Sequence, residues 1–119
     1  MDCQLPNITE NSFLDGKLSI FQPNKGFRAG LDSVLLAASV NASAGQKVLD
    51  LGCGVGTASF AIGYRVKNVE LYGIEIQKVF ADLANLNSEE NGIELILECC
   101  TMDILHNFLF IRIWHDIGA

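Results

Sequence analysis

The feature that most constrains how this chain can fold is a run of alternating glycines after a short apolar stretch. Residues 47–51 read Lys-Val-Leu-Asp-Leu, and Gly52, Gly54 and Gly56 follow directly. Glycine lacks a β-carbon, so this spacing allows a tight turn and a close approach of the main chain to a ligand. A helix that begins after the last glycine would point its free N–H groups at that ligand. The pattern therefore predicts a strand, a ligand-binding turn and a helix.

The residues on either side of this turn alternate between strand and helix patterns. We expect strands over residues 18–22, 69–74 and 93–97, and helices over residues 32–40, 58–66 and 77–90. In the last helix, Val79, Leu83 and Leu86 recur at spacings of three and four, which is typical of one buried face. A strand-helix-strand-helix-strand order requires right-handed crossovers and a parallel sheet. The predicted fold class is α/β with a Rossmann-like parallel sheet.

The helix over residues 32–40 is expected to start near Asp32 or Ser33, both of which are suitable N-terminal caps. Its apolar face is predicted to consist of Val34, Leu35, Leu36 and Ala38.

Length and composition are consistent with a single domain over residues 1–119. Half of the 119 residues are hydrophobic, which is sufficient for one compact core. The longest nearly apolar run, residues 34–40, is far shorter than the ~20 residues that span a bilayer. No secretory signal is visible at the N-terminus. These features predict a cytoplasmic protein with no membrane association.

The last residues do not fit a complete sheet of this class. Residues 108–114 are predicted to form a fourth strand without its partners, or to be read in a wrong frame. We therefore expect an incomplete domain, from a truncated or frameshifted product.

Charge and cysteine content argue against two kinds of site. The chain has 8 basic and 14 acidic residues, which gives a formal net charge of −6. Nucleic-acid binders normally present a basic face, and here Lys17, Lys25 and Arg28 form only a small basic group. The charge thus argues against RNA binding by the chain alone. The four cysteines lack zinc or redox spacing, so no metal site is predicted and the thiols are expected to be reduced.

Three acidic residues stand at or near the ends of successive predicted strands. Asp50 would repel a pyrophosphate and would suit a ligand with an ammonium group. Glu75 can accept hydrogen bonds from ribose hydroxyls, and Asp103 can reach an adenine amino group. Thr57 stands where a dinucleotide-binding fingerprint has its third glycine. Asp50 and Thr57 together disfavour a nicotinamide-dependent oxidoreductase.

These motifs resemble the class I S-adenosylmethionine-dependent methyltransferases, and the resemblance covers roughly residues 18–105. In that family the glycine loop holds the methionine part of the cofactor, the second-strand acid holds its ribose, and the third-strand acid touches its adenine. The resemblance implies the N-terminal part of a class I methyltransferase fold and S-adenosylmethionine as the cofactor. The cofactor-binding residues implied are Asp50, Gly52, Gly54, Gly56, Glu75 and Asp103. It also leads us to expect that Glu75→Ala weakens cofactor binding while leaving the fold intact.

Residues 26–38 look like the segment before the glycine loop in bacterial methyltransferases of the adenine amino group of valine tRNA. Leu31 stands where that group usually has threonine. The group also carries Asn-Pro-Pro-Tyr after its fourth strand, which binds the target amino group. The only prolines here are Pro6 and Pro23, so that motif is absent and no catalytic residue is assigned. The resemblance implies a tRNA substrate for the full-length family.

A second hypothesis is a non-catalytic cofactor-binding or self-associating module. In the implied sheet order the strand over residues 47–51 is central, so loss of later strands would expose its edge. Exposed edges recruit other chains. This hypothesis predicts self-association through the sheet edge.

Overall fold

The computed structural model describes residues 7–25 and 29–99 of the chain. In chain order the elements of this part are β1 (Ile8–Phe13), β2 (Leu18–Pro23), α1 (Leu31–Ser39), β3 (Lys47–Leu51), α2 (Thr57–Arg65), β4 (Glu70–Glu75), α3 (Lys78–Asn91) and β5 (Ile96–Cys99). Strands and helices alternate from β3 onward, so the predicted α/β class is confirmed.

The last three strands form a parallel sheet in the order β3-β4-β5. Asp50 of β3 lies opposite Gly73 of β4, and Glu75 at the end of β4 lies opposite Cys99 of β5. Because the strands are parallel, their carboxyl ends meet at one edge, where this class of fold binds ligands. The Rossmann-like sheet is thus confirmed, and it brings Asp50 and Glu75 to the same edge.

A β-hairpin precedes this unit, and only its second strand was predicted from the sequence. β1 pairs antiparallel with β2, with Phe13 opposite Leu18. Leu14, Asp15 and Gly16 all have positive φ angles in the turn between them, which is the backbone that tight hairpin turns require. β1 was missed because its sequence, Ile-Thr-Glu-Asn-Ser-Phe, is largely polar.

Two asparagines of α3 attach this hairpin to the rest of the fold. The Asn87 side chain accepts a hydrogen bond from the N–H of Phe21 (2.7 Å) and donates to its carbonyl (2.9 Å). One helical turn later, Asn91 does the same with Ser19, at 2.9 and 2.8 Å. The two amides bind the outer edge of β2 as a neighbouring strand would. Asn87 is fully buried and also donates to the carbonyl of Val55, at 2.9 Å.

The core lies between the parallel sheet, the helices and the hairpin. Phe60, Leu83 and Ile20 are fully buried there. Leu83 is on the predicted apolar face of α3, and Val79 and Leu86 pack against the same core. The predicted face of α1 is wrong, however. Ala37 is its buried residue, whereas Leu35 and Leu36 are each 58% exposed.

Two further boundaries differ from the prediction. α1 begins after Gly30, which makes no side-chain capping bond, so Asp32 and Ser33 lie inside the first turn. The strand expected over 93–97 is displaced toward the C-terminus, to Ile96–Cys99. Apolar Ile93 and Leu95 pack into the core before the strand begins, which explains why the apolar pattern was misleading. Asp103 and residues 108–114 lie outside the described residues.

No helix in residues 7–25 and 29–99 is long and apolar enough to cross a bilayer.

Candidate functional site

The glycine loop turns sharply between β3 and α2. Gly52, Gly54 and Gly56 have φ angles of +69°, +58° and +93°, a region that residues with a β-carbon adopt at a cost. The loop also docks on the neighbouring strand, because the N–H groups of Gly52 and Cys53 both donate to the carbonyl of Ile74, at 2.8 and 3.0 Å. The predicted side-chain-poor turn is therefore present and is fixed to β4.

Gly56 is the point of closest packing in the loop. A β-carbon there would lie 2.4 Å from Cε2 of Phe60, whose ring is completely buried. Such a distance is far shorter than a van der Waals contact. The third glycine therefore permits both the turn and the seating of α2 on the core.

Glu75 is the acid that holds this loop in place. Its side chain is buried, with 6% exposure. Oε1 accepts the N–H of Gly54 at 2.9 Å, and Oε2 accepts the N–H of Gln77 at 2.8 Å. Both oxygens thus bond to the protein's own backbone, on the glycine loop and at the start of α3. A contact of Glu75 with ribose stays a prediction, and it would use the remaining acceptor capacity of these oxygens.

This geometry corrects the expected outcome for Glu75→Ala. Removal of the carboxyl group leaves two backbone donors without their acceptor, which costs stability in a buried site. We therefore no longer expect this substitution to leave the fold unaffected.

Asp50 is the penultimate residue of β3, and its carboxyl group is turned toward α2. Oδ2 accepts a hydrogen bond from the Ser59 hydroxyl at 2.7 Å. Burial raises the pKa of Asp50, the charge of Glu75 raises it further, and the Ser59 bond lowers it. A cationic group placed beside Asp50 would relieve the cost of keeping this buried carboxylate ionised. The predicted contact of Asp50 with an ammonium group stays a prediction.

The thiol of Cys53 packs against Gly73 of β4. A β-carbon on Gly73 would lie 2.9 Å from Cys53 Sγ, so the bare backbone of β4 makes room for the thiol. Burial, together with the charges of Asp50 and Glu75, raises the pKa of Cys53 to about 12. A thiol with a raised pKa is protonated and poorly nucleophilic at neutral pH.

A cleft of about 180 Å³ opens over the loop. Its floor is the glycine loop and the start of α2, and its walls come from the hairpin, α1 and α3. The lining residues are Gln22, Ala29, Ser33, Leu36, Asp50, Gly52, Cys53, Gly54, Val55, Thr57, Ala58 and Phe80. Of the predicted site residues that the structure describes, Asp50, Gly52 and Gly54 line the cleft. Gly56 and Glu75 do not line it: Gly56 packs against Phe60, and Glu75 accepts the N–H of Gly54.

Several residues of this site were missed from the sequence. Gln22 is buried, accepts the N–H of Ala29 at 2.8 Å and donates to Asn11 at 3.0 Å. It thereby fixes the segment before α1 against the cleft. Nothing in the local sequence of Gln22 marks it, because both partners, Ala29 and Asn11, lie outside its own strand. Ser59 could have been identified from the sequence, since it lies two residues after Thr57 on the first turn of the helix that follows the glycine loop.

The structure offers no metal site within residues 7–25 and 29–99, since no three His, Cys, Asp or Glu side chains cluster there suitably. What the site does offer is a bare turn, a buried carboxyl group and the N-terminus of α2. This set can bind a ligand that combines a cationic group with hydrogen-bond acceptors.

A comparison with protein families supports this description. The model of the methyltransferase small domain matches residues 28–110, which is more than half of the chain. A tRNA1(Val) (adenine(37)-N6)-methyltransferase of Aliivibrio salmonicida is 31% identical over 81 residues, covering 68% of this chain and 35% of that protein. The Vibrio cholerae protein of the same name is 26% identical over 99 residues, covering 83% of this chain and 41% of that one. The chain thus spans roughly a third of the length of such relatives.

Solved structures show the same fold. A Pyrococcus abyssi tRNA (uracil-54, C5)-methyltransferase in complex with S-adenosyl-L-homocysteine has a TM-score of 0.62 at 20% identity, covering 79% of this chain and 24% of that one. A Geobacter sulfurreducens S-adenosylmethionine-dependent methyltransferase has a TM-score of 0.51 at 25% identity, covering 58% and 28%.

The family predicted from the glycine loop and its flanking acids is thereby confirmed. The bare turn, the acids at the strand ends and the match over residues 28–110 all indicate the same assignment. This chain belongs to the methyltransferase small domain family.

Proposed function

We propose that this chain binds S-adenosylmethionine and belongs to a methyltransferase that acts on the exocyclic amino group of an adenine in tRNA. The observation that carries the cofactor assignment is the buried Asp50 carboxyl group in the wall of the cleft, beside the glycine loop. S-adenosylmethionine has an ammonium group, and its sulfonium supplies the methyl group for transfer. A dinucleotide would place a pyrophosphate where Asp50 repels it.

The roles of the chain's residues follow from their positions. Gly52 and Gly54 let the backbone approach the methionine part of the cofactor, and Asp50 accepts hydrogen bonds from its ammonium group. Glu75 holds the loop rigid and contacts the ribose. Asp103, outside the described residues, contacts the adenine. These groups position the cofactor, and positioning is the main way that such a site accelerates an in-line transfer.

The tRNA part of the proposal rests on the relatives named for the tRNA1(Val) adenine. We infer that the protein works in the cytoplasm, where tRNA is available. Two features of the sequence indicate that this chain does not perform the transfer alone. Its net charge of −6 is unfavourable for RNA, and its only prolines, Pro6 and Pro23, exclude the Asn-Pro-Pro-Tyr motif. We therefore expect cofactor binding without methylation of unmodified tRNA.

Calorimetric titration tests the cofactor proposal. We expect one-to-one binding of S-adenosylhomocysteine and none of NAD⁺. Asp50→Asn keeps an acceptor for Ser59 but removes the charge, so it should weaken S-adenosylhomocysteine binding about tenfold or more. Asp15→Asn, in the distant hairpin turn, is the matched control and should bind normally. Binding of NAD⁺ in preference to S-adenosylhomocysteine would refute the proposal.

Self-association is a second proposal, and the sheet order favours it. Among the described strands, β3 pairs only with β4 and is at the edge of the sheet. Leu51 of β3 and Leu31, Leu35 and Leu36 of α1 are exposed apolar side chains. An open edge and exposed apolar surface recruit other chains. Light scattering should therefore detect dimers or larger species, and a concentration-independent monomer would contradict this proposal.

A further inference from the structure

One polar group in the floor of the cleft is left unexplained by the roles above. Thr57, the first residue of α2, is only 3% exposed and lines the cleft. Within the part of the chain that the structure describes, its Oγ1 is the one buried side-chain nitrogen or oxygen without a hydrogen-bond partner. Such a group costs free energy in the folded protein unless something else bonds to it. A ligand in the cleft is the natural partner.

The surroundings of Thr57 indicate the charge of that partner. Thr57 lies at the N-terminus of α2, where the helix dipole and free N–H groups favour an anion. The N-cap residue of α2 is Gly56, so no side chain caps the helix, and its first turn contains no acidic residue. Asp50, the carboxyl group in the same cleft, is already bonded to Ser59 at 2.7 Å. The cleft therefore presents a negative group and, separately, a site suited to a negative ligand.

An amino acid matches this arrangement, because it carries an ammonium and a carboxylate on one carbon. Given the proposed cofactor, on which this inference rests, we infer that the Thr57 hydroxyl donates a hydrogen bond to the carboxylate of the cofactor's methionine part. Asp50 takes the ammonium, and the N-terminus of α2 supports the carboxylate. Thr57 is thus a cofactor-binding residue that makes the site selective for nucleosides that retain a complete amino acid.

The substitution Thr57→Val tests this inference, since valine has the same shape and branching but no hydroxyl. Two opposite effects are expected. Without ligand, the variant should melt at a higher temperature than the wild type, because an unsatisfied buried hydroxyl has been removed. With ligand, its affinity for S-adenosylhomocysteine should fall about tenfold or more, because a hydrogen bond to a charged group is lost. Thr57→Ser keeps the hydroxyl and should restore most of the affinity.

Decarboxylated S-adenosylhomocysteine, which keeps the ammonium but lacks the carboxylate, identifies the bonded group. The wild type should bind it more weakly than S-adenosylhomocysteine, and Thr57→Val should bind it as well as the wild type does. Equal weakening of both ligands by Thr57→Val would show that the hydroxyl does not contact the carboxylate, as would unchanged S-adenosylhomocysteine affinity. If wild-type protein binds no S-adenosylhomocysteine, the proposed function fails together with this inference. The three results are distinguishable in the same titrations.

Discussion

Glu75→Ala is expected to destabilise the protein by about 3–5 kcal/mol, because it removes the acceptor of two backbone hydrogen bonds. Each hydrogen bond to a charged group contributes about 1.5–3 kcal/mol. The donors are the N–H groups of Gly54 and Gln77, at 2.9 and 2.8 Å. A domain of this size has a total stability of about 5–15 kcal/mol, so the loss is a large share. Urea denaturation followed by circular dichroism measures it.

Two variants make this result specific to the hydrogen bonds. Glu75→Gln keeps one acceptor oxygen and the volume of the side chain, so it should lose about half as much stability. Glu98→Ala removes an exposed acid from β5 of the same sheet and should change stability by less than about 0.5 kcal/mol. Binding of S-adenosylhomocysteine should be lost in Glu75→Ala, since Gly54 is then no longer held. If Glu75→Ala unfolds at the same urea concentration as the wild type, Glu75 does not fix the loop.

Gly56→Ala is expected to cost about 2–5 kcal/mol, for two independent reasons. The φ angle of +93° disfavours a residue with a β-carbon by about 1–2 kcal/mol. The added carbon would also lie 2.4 Å from the buried Phe60 ring, and overpacking of this kind costs about 1–3 kcal/mol. The free energy of unfolding, taken from denaturant titration, gives the total.

Gly52→Ala separates the two contributions. Gly52 also has a positive φ angle, +69°, but a β-carbon there meets no atom within 4 Å. It should therefore show the backbone cost alone, about 1–2 kcal/mol. Combining Gly56→Ala with Phe60→Leu should cost less than the sum of the single changes, since the smaller side chain makes room. Equal costs for Gly52→Ala and Gly56→Ala would contradict a steric role for Phe60.

The sequence was informative where local chemistry determines structure. The glycine turn needs residues without a β-carbon, β3 is a short apolar run before it, and the apolar residues of α3 recur on one buried face, so these elements were predicted nearly to the residue. The placement of Asp50 and Glu75 at one edge followed from the parallel sheet alone. In each case the signal is contained within a few neighbouring residues.

The remainder depends on contacts between distant parts of the chain. β1 has little apolar pattern of its own and is defined by pairing with β2. Gln22 lines the cleft and accepts a hydrogen bond from Ala29, and Glu75 accepts a hydrogen bond from the backbone of the glycine loop. The exposed leucines of α1 show the reverse case, in which an apolar pattern does not predict burial. Such features need the tertiary structure, because single residues at large separations produce them.

The hydrogen bonds from Asn87 and Asn91 of α3 to β2 determine where an independently folding fragment of this chain can begin. Deleting the hairpin would remove the buried Leu18 and Ile20 from the core, uncover the faces of α2 and α3 that β2 contacts, and break the bonds of Asn87 to Phe21. A fragment that starts at β3 would therefore be poorly soluble, even though it contains all three described strands of the parallel sheet. The smallest excisable piece of the described structure therefore includes the hairpin, and cutting this chain just before β3 would divide a cooperative unit.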